Sequence, residues 1–460
     1  MKKNDYAIIP FNSKSIKDKV LVSSQLGHWA LLTPQEFREL GTFRLRNDST
    51  LFRKLHENGL VVDSVNILKV LDDYKRTNAN LFRDTSLHIA VITTRCNLEC
   101  GYCQAKAKEE DMGYDVATQI LKYIFGVSNP MVTLEFQGGE PLLNWKTLTF
   151  LVKHVNKINK DKEMKIALVS NLTLLDNEKM DFLAKNRVEL CGSLDGPKKI
   201  HDSNRRFKSG KGTYDIVVKN IKTYERKFGK KVNLLPTITS NSLPFYKQII
   251  DEYVRLGQTV ITLRPVNRMG AACFNWDKLG YSAEEFLEFY KKAMDYIIHL
   301  NKKGIFIKER TAAFILEKII NHNDPGFVEM MNPCGAGRAS IVYMPDGSCF
   351  PCDEARMVDE EMFKLGNILN ENYDDLMKKD KLLHLQQSSL VNLWDYTSVF
   401  APWLGTCPVV NYATQNNIVS KIHCSLAHKV YKGQFTYIFE KFIDNQEYMR
   451  IFSAWIGGKR

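Results

Sequence analysis

Three cysteines fall in one short stretch, Cys96-Asn97-Leu98-Glu99-Cys100-Gly101-Tyr102-Cys103, at the spacing C-x3-C-x2-C. Three thiolates on one loop can ligate three irons of a [4Fe–4S] cube, which leaves the fourth iron without a protein ligand. An open coordination position is what a catalytic metal site needs and a closed structural site lacks. A cluster that only carries electrons would normally have a fourth cysteine nearby, and this loop has none. Taken alone, the triplet also fits a zinc knuckle or chance clustering.

The elements that must position this loop are legible on either side of it. The apolar run Leu87–Ile92 leads straight into the cysteines, so they sit at the C-terminal end of a strand, where β/α folds place their active sites. Further strand candidates follow at Val132–Phe136, Ile166–Val169, Val188–Leu194, Val232–Ile238 and Val260–Leu263, with amphipathic stretches of helical length between them. Near-continuous apolar strands alternating with helices predict a parallel sheet covered by helices. Six such units predict an α/β fold, a partial (β/α)6 TIM-like barrel. The other strand ends also carry polar residues. Glu135-Phe136-Gln137-Gly138-Gly139-Glu140-Pro141 closes the second strand, Ser170-Asn171-Leu172 the third, and Ser193-Leu194-Asp195-Gly196-Pro197 the fourth. Paired glycines admit a ligand close to the backbone, and Glu140 is an anionic acceptor suited to an ammonium group. Asp195 reads equally as a turn residue, and Arg205 as a surface cation.

The spacing and the strand-end motifs together resemble the radical S-adenosylmethionine (radical SAM) family. The resemblance implies a [4Fe–4S] cluster on Cys96, Cys100 and Cys103, whose open iron is chelated by S-adenosylmethionine. Cleavage of that ligand gives a 5′-deoxyadenosyl radical, which takes a hydrogen atom from the substrate. By the same resemblance Gly138, Gly139 and Glu140 meet the amino group of S-adenosylmethionine and Gln137 faces the substrate. Tyr102 and Asn171 are expected cofactor contacts, although Leu172 stands where relatives often have glycine. The stretch from Ser193 to Tyr214 looks like anaerobic sulfatase maturases, which assigns Ser193, Asp195 and Arg205 to the cofactor as well.

The chain has 460 residues, too many for one small core. Residues 1–84 are expected to form a small α+β domain. Val20-Leu21-Val22 and Trp29-Ala30-Leu31-Leu32 flank a turn at Gly27, Thr33-Pro34 opens a helix, and Leu51 begins another. Residues 85–325 would be the barrel. Residues 326–460 would be a cysteine-bearing, largely helical extension. There Cys334, Gly347 and Cys352 give C-x12-G-x4-C, similar to the opening of the SPASM extension, whose members hold two auxiliary clusters. The remainder of that pattern is damaged. If Cys407 ends the expected cysteine run, its earlier positions are Trp394, Thr397 and Trp403. One auxiliary [4Fe–4S] cluster at most is therefore expected, on Cys334, Cys352 and Cys407, with Cys349 or Cys424 as a fourth ligand or with that position open. Buried thiols without metal are the plainer reading. Asp353, next to Cys352, matches the neighbourhood of the general base proposed in sulfatase maturases; a cap or salt-bridge role suits it as well.

Other segments, including Cys352-Asp353-Glu354-Ala355-Arg356-Met357 and Cys407-Pro408-Val409-Val410-Asn411-Tyr412, look like the His-Xaa-Ser system radical SAM maturases. That implies a ribosomally made precursor peptide with His-Xaa-Ser repeats as substrate, a second radical SAM partner, and a reductant such as flavodoxin or ferredoxin. The N-terminal hairpin and helices would then recognise a leader peptide by strand addition, or simply pack against the barrel. The formal charge of +12 favours an anionic partner. No helix–turn–helix, zinc-finger or aromatic RNA-binding signature points to nucleic acid, and a solvated surface accounts for such charge. With six of the ten cysteines in two clusters, no apolar run of bilayer length and no secretory signal, a cytoplasmic enzyme outside the membrane is expected.

Overall fold

The computed structural model describes residues 6–105, 109–358, 360–392, 396–419 and 425–457. These fall into two compact units, neither of them one continuous stretch. The first contains the chain through Phe82 together with 311–335 and 386 onward; the second contains 83–310 and 336–385. The grouping therefore differs from three consecutive regions: 336–385 of the expected extension groups with the barrel strands, and 311–325 of the expected barrel groups with the N-terminal residues.

In the first unit, β2 (Phe11–Ile16), β3 (Lys19–Ser24) and β4 (Trp29–Leu32) form an antiparallel meander, and the short β1 (Ala7–Ile8) pairs with β5 (Val61–Val62). The expected hairpin is thus β3–β4, with β2 added at its edge. Thr33 caps the helix Pro34–Leu40 in a capping box with Glu36, and Pro34 occupies its first turn. Val22, Leu32, Leu40, Leu51 and Leu55 build the core beneath. The helices Pro408–Gln415, Leu426–Asp444 and Gln446–Trp455 supply the helical C-terminal part.

Lys318 in this unit is almost wholly buried. Its ammonium donates to Asp324 Oδ2 at 2.7 Å and to the carbonyls of Met330 at 2.9 Å and Trp403 at 3.1 Å. Removing one partner of a buried ion pair strands the other charge away from water. Lys318→Met is expected to cost about 3–5 kcal/mol, read as a lower urea midpoint, whereas a conservative change at an exposed lysine leaves it unmoved.

The second unit is organised by one eight-stranded sheet. The strands are β6 (Leu87–Thr93), β7 (Met131–Gly138), β8 (Glu163–Ser170), β9 (Glu189–Ser193) and β10 (Asn233–Leu235), then β15 (Ser340–Tyr343), β16 (Ser348–Phe350) and β17 (Gly366–Asn367). Their order is β10-β9-β8-β7-β6-β15-β16-β17, parallel from β10 to β15. Past Pro236, which offers no N–H to a ladder, the fifth strand resumes as β11 (Thr237–Ile238). It pairs with β13 (Arg264–Pro265), while β12 (Val260–Ile261) pairs with β14 (Lys308–Glu309). The six expected strands are all present, the last two broken in two. The α/β parallel-sheet class holds.

Helices cover these strands with one apolar stripe each. Trp145–Ile158, for example, buries Leu148, Leu151, Val152 and Val155 at helical spacing. The β15–β17 edge is the unforeseen part. Ser340-Ile341-Val342-Tyr343 is buried throughout and pairs in parallel with β6, so it covers what would be an open edge of the barrel. No helix among the described residues is long and apolar enough to cross a membrane.

Candidate active site

The strands of the second unit deliver their C-terminal ends to one cavity of about 230 Å³. Its wall includes Cys96, Cys100, Tyr102 and Cys103 after β6, Gln137, Gly138 and Gly139 at the end of β7, and Ser170 and Asn171 at the end of β8. It continues with Ser193 from β9, Arg205, Thr237, Arg264, and Asp353 with Arg356 after β16.

The cysteine loop has little regular structure of its own and is held by its neighbours. Glu99 N donates to Arg206 O at 2.9 Å, Asn275 Nδ2 to Gly101 O at 2.9 Å, and Ala271 N to Cys103 O at 2.8 Å. Gly270 (φ +55°) lies so close that a Cβ there would stand 2.7 Å from Cys103 O, so this clamp requires glycine. All three thiols are free. Their sulfurs are not gathered within 4.8 Å of one another, as three donors to a single ion would be. Thiolates bound to separate irons of a cube have no such requirement. Burial raises the thiol of Cys96 and takes that of Cys100 up to about 12, with each neighbouring sulfur adding to the rise and Arg205 opposing it at Cys100. Thiols in this state ionise when a cationic metal centre binds them. Spacing, protonation chemistry and the open cavity all fit a [4Fe–4S] cluster with an exchangeable ligand.

Gly138 and Gly139 are required by backbone packing. A Cβ on either would lie 2.3 Å from a carbonyl, that of Thr93 or Arg95, because Gly139 N and Glu140 N donate to those same oxygens. Their other face forms cavity wall.

Glu140 is turned away from the cavity. Its side chain is fully buried and does not line the cavity. Oε1 accepts from Leu142 N (3.0 Å) and Ser170 Oγ (2.8 Å), and Oε2 from Asn171 N (2.8 Å). The carboxylate ties the end of β7 to the end of β8, and burial lifts its pKa to about 7. In Glu140→Gln an amide NH₂ must face one of these donors. A loss of about 1–3 kcal/mol is expected, measured by chemical unfolding.

Asp195 is placed in the same way. Buried and absent from the wall, it accepts from Tyr102 Oη (2.7 Å), Asn204 Nδ2 (3.1 Å), Arg205 Nε (3.1 Å) and Thr237 N (3.0 Å). It fixes Tyr102 and Arg205, which do face the cavity, with the Arg205 guanidinium 5.2 Å from the Tyr102 ring centre. Asn171 reaches the cavity and is locked by Thr173 and by Asn97 Oδ1 at 3.0 Å. Leu172 keeps the glycine-like turn with φ +62°, and its side chain fills the space a Cβ on Gly192 would need.

On the far wall Arg356 Nε donates to Asp353 Oδ1 (2.8 Å), Arg356 Nη2 to Gln137 Oε1 (3.2 Å), and Gln137 Nε2 to Glu135 Oε1 (2.7 Å). Burial holds the Glu135 carboxyl above its ordinary range. Arg356, Arg264 and Glu135 were missed as site residues. Arg356 was legible only as the i+3 partner of Asp353.

The remaining cysteines divide. Cys349, in β16, is set in the core beside Tyr123 and Tyr343 and does not line this cavity. Its thiol is raised by burial. Cys352 is buried one residue before Asp353. Cys334 and Cys407 belong to the first unit, the former buried with its N–H on Gln386 O at 3.2 Å, the latter capping the helix Pro408–Gln415. Cys424 lies outside the described residues.

Residues 90–263 match the model of the radical SAM superfamily. Over 315 residues the chain is 25% identical to a cysteine-type anaerobic sulfatase-maturating enzyme of Clostridium perfringens, covering 64% of this chain and 80% of that protein. Among solved structures, anSMEcpe with bound AdoMet and Kp18Cys peptide superposes with a TM-score of 0.68 at 23% identity, over 78% of this chain and 98% of that one. SuiB of Streptococcus suis bound to its precursor peptide SuiA gives 0.55 at 16% identity, over 87% and 94%. The structural matches establish shared fold.

Proposed function

Since its core is a radical SAM domain and the chain an enzyme of that superfamily, we propose that it is a maturase that modifies or cross-links a ribosomally made peptide. The observation that carries this reading is the single cavity walled both by Cys96, Cys100 and Cys103 and by the Gln137–Arg356–Asp353 group. When bound, the cluster and S-adenosylmethionine supply a carbon radical that takes a hydrogen atom from a substrate. The chain's own residues do the remainder. Gly138, Gly139, Asn171, Ser193 and Arg205 hold the cofactor, Tyr102 stacks under Arg205, and Arg356 presents Asp353 to the substrate as proton acceptor.

A peptide is favoured because similar folds include proteins solved with peptides bound. The segments around Cys352 and Cys407, which look like those of His-Xaa-Ser system maturases, favour a precursor with such repeats as substrate. The meander β2–β3–β4 would take a leader segment as an added strand.

Likeness to a cysteine-type sulfatase-maturating enzyme favours a second reading, oxidation of a cysteine to formylglycine. The tryptophans and threonine at expected outer-cluster positions weigh against it.

The test is anaerobic reconstitution followed by S-adenosylmethionine, dithionite and either a His-Xaa-Ser repeat peptide or a sulfatase-type cysteine peptide. The expected result is 5′-deoxyadenosine and a mass change in the repeat peptide. A change confined to the cysteine peptide establishes the second reading, and absence of 5′-deoxyadenosine refutes both. About eight irons per chain would mean two clusters, and about four the core cluster alone.

A further inference from the structure

The first unit holds a group of donors that the radical SAM reading leaves unused. His28 lies in the turn before β4, Asp73 on the helix Ile67–Thr77, and His322 two residues beyond the helix Arg310–Ile320. One donor atom from each comes within 4.8 Å of the other two, and no other such group occurs among the described residues. His28 Nε2 stands 3.2 Å from Asp73 Oδ2 and His322 Nε2 4.0 Å from the same oxygen. The imidazole rings lie 4.8 Å apart.

We propose that His28, Asp73 and His322 form a three-ligand site for a divalent transition metal of the zinc class, with water completing its coordination and the metal pinning together three segments far apart in sequence.

The donor set, two imidazole nitrogens and one carboxylate oxygen, suits zinc and its neighbours. Metal–ligand bonds of about 2.0–2.2 Å in a tetrahedron put neighbouring donors roughly 3.3 Å apart. The His28–Asp73 separation already has that value, and His322 needs only a small movement inward. At 4.0 Å His322 Nε2 is too far from the carboxylate for a hydrogen bond. The Nδ1 atoms of both rings are buried without a hydrogen-bond partner, so no other contact fixes either tautomer and each ring can present its Nε2 lone pair. Burial lowers the pKa of both histidines, that of His322 to about 4, which keeps them neutral as ligands must be.

The backbone is shaped around the group. His322 adopts φ +48°, a left-handed conformation uncommon outside glycine. Gly59 makes room for the His28 ring, since a Cβ there would fall 2.3 Å from His28 Cδ2. Two cations are near, Lys69 and Arg76. Arg76 engages Asp73 Oδ1, the oxygen turned away from the histidines, and its own side chain is 61% exposed and screened by solvent. The carboxylate can therefore hold the arginine with one oxygen and a metal with the other.

The probe is Co(II), added anaerobically to the full chain after iron–sulfur reconstitution and removal of loosely held metal. One equivalent is expected to give d–d absorption without a thiolate-to-cobalt charge-transfer band. The same spectrum should persist when Cys96, Cys100 and Cys103 are all alanine, which separates this site from the cysteine loop. It should be lost in Asp73→Asn and in His322→Asn, the latter keeping a side chain that tolerates the left-handed backbone. Zn(II) should raise the thermal midpoint of the metal-stripped wild type and leave that of His322→Asn unmoved. Cobalt found only with thiolate charge transfer, a thiolate-free spectrum that survives both substitutions, or no response of the wild-type midpoint to zinc would each overturn the site in favour of a metal-free His–Asp–His cluster.

Discussion

Cys100→Ala is expected to lower 5′-deoxyadenosine formation by about three orders of magnitude or more, because a cube missing one of three protein thiolates is not retained. The argument rests on how the loop is held. Its fixed points are backbone groups at residues 99, 101 and 103, bonded to Arg206, Asn275 and Ala271, and none of them involves the Cys100 sulfur. The substitution removes a ligand while those contacts survive. The thermal midpoint of the metal-free chain should stay close to wild type, because none of the contacts that hold the loop is removed. Iron after reconstitution should fall by about four per chain. Cys273→Ser is the control: this thiol is exposed, donates only to Arg268 O and does not line the cavity, so cleavage should be unchanged. Unimpaired cleavage in Cys100→Ala would remove the cluster from this loop.

The contrast between what the chain disclosed before folding and what it withheld follows from the range of the interactions. The cysteine loop, the glycine pair and the six strand ends were legible because each is a local pattern: three thiolates in one turn, or an apolar run ending in glycine. Glu140 and Asp195 sit in equally conspicuous motifs, yet both carboxylates turn inward. Their partners, Asn171 and Ser170 for one and Tyr102, Asn204, Arg205 and Thr237 for the other, come from strand ends that only the folded sheet brings together. A motif position says that a side chain matters and leaves open whether it touches ligand or braces the residue that does. Leu172 shows the converse. Its type departs from the family pattern while its φ of +62° preserves the turn, so the sequence understated how well Asn171 is placed. The β15–β17 edge was hidden for another reason. Ser340–Tyr343 is a four-residue apolar run, too short for periodicity to separate strand from helix, and its partner β6 lies some 250 residues earlier in the chain.

Asp353→Asn should separate the two halves of the reaction. The amide keeps an oxygen for Arg356 Nε, so the Gln137–Arg356 contact and the cavity wall are retained while the proton acceptor is lost. General-base catalysis contributes about 10²–10⁴-fold, and formation of modified peptide is expected to fall by that factor. Cleavage of S-adenosylmethionine depends on groups across the cavity and should stay within a few-fold of wild type, so that 5′-deoxyadenosine accumulates without matching product. The ratio of the two products, measured by mass spectrometry on one sample, tells this apart from a merely structural role. If Asp353 served only to orient Arg356, the asparagine would restore that contact and product would recover. Arg356→Gln would then be the damaging change, lowering product where Asp353→Asn did not. Should both activities fall together in Asp353→Asn, the carboxylate belongs to cofactor binding and is not the proton acceptor for the peptide.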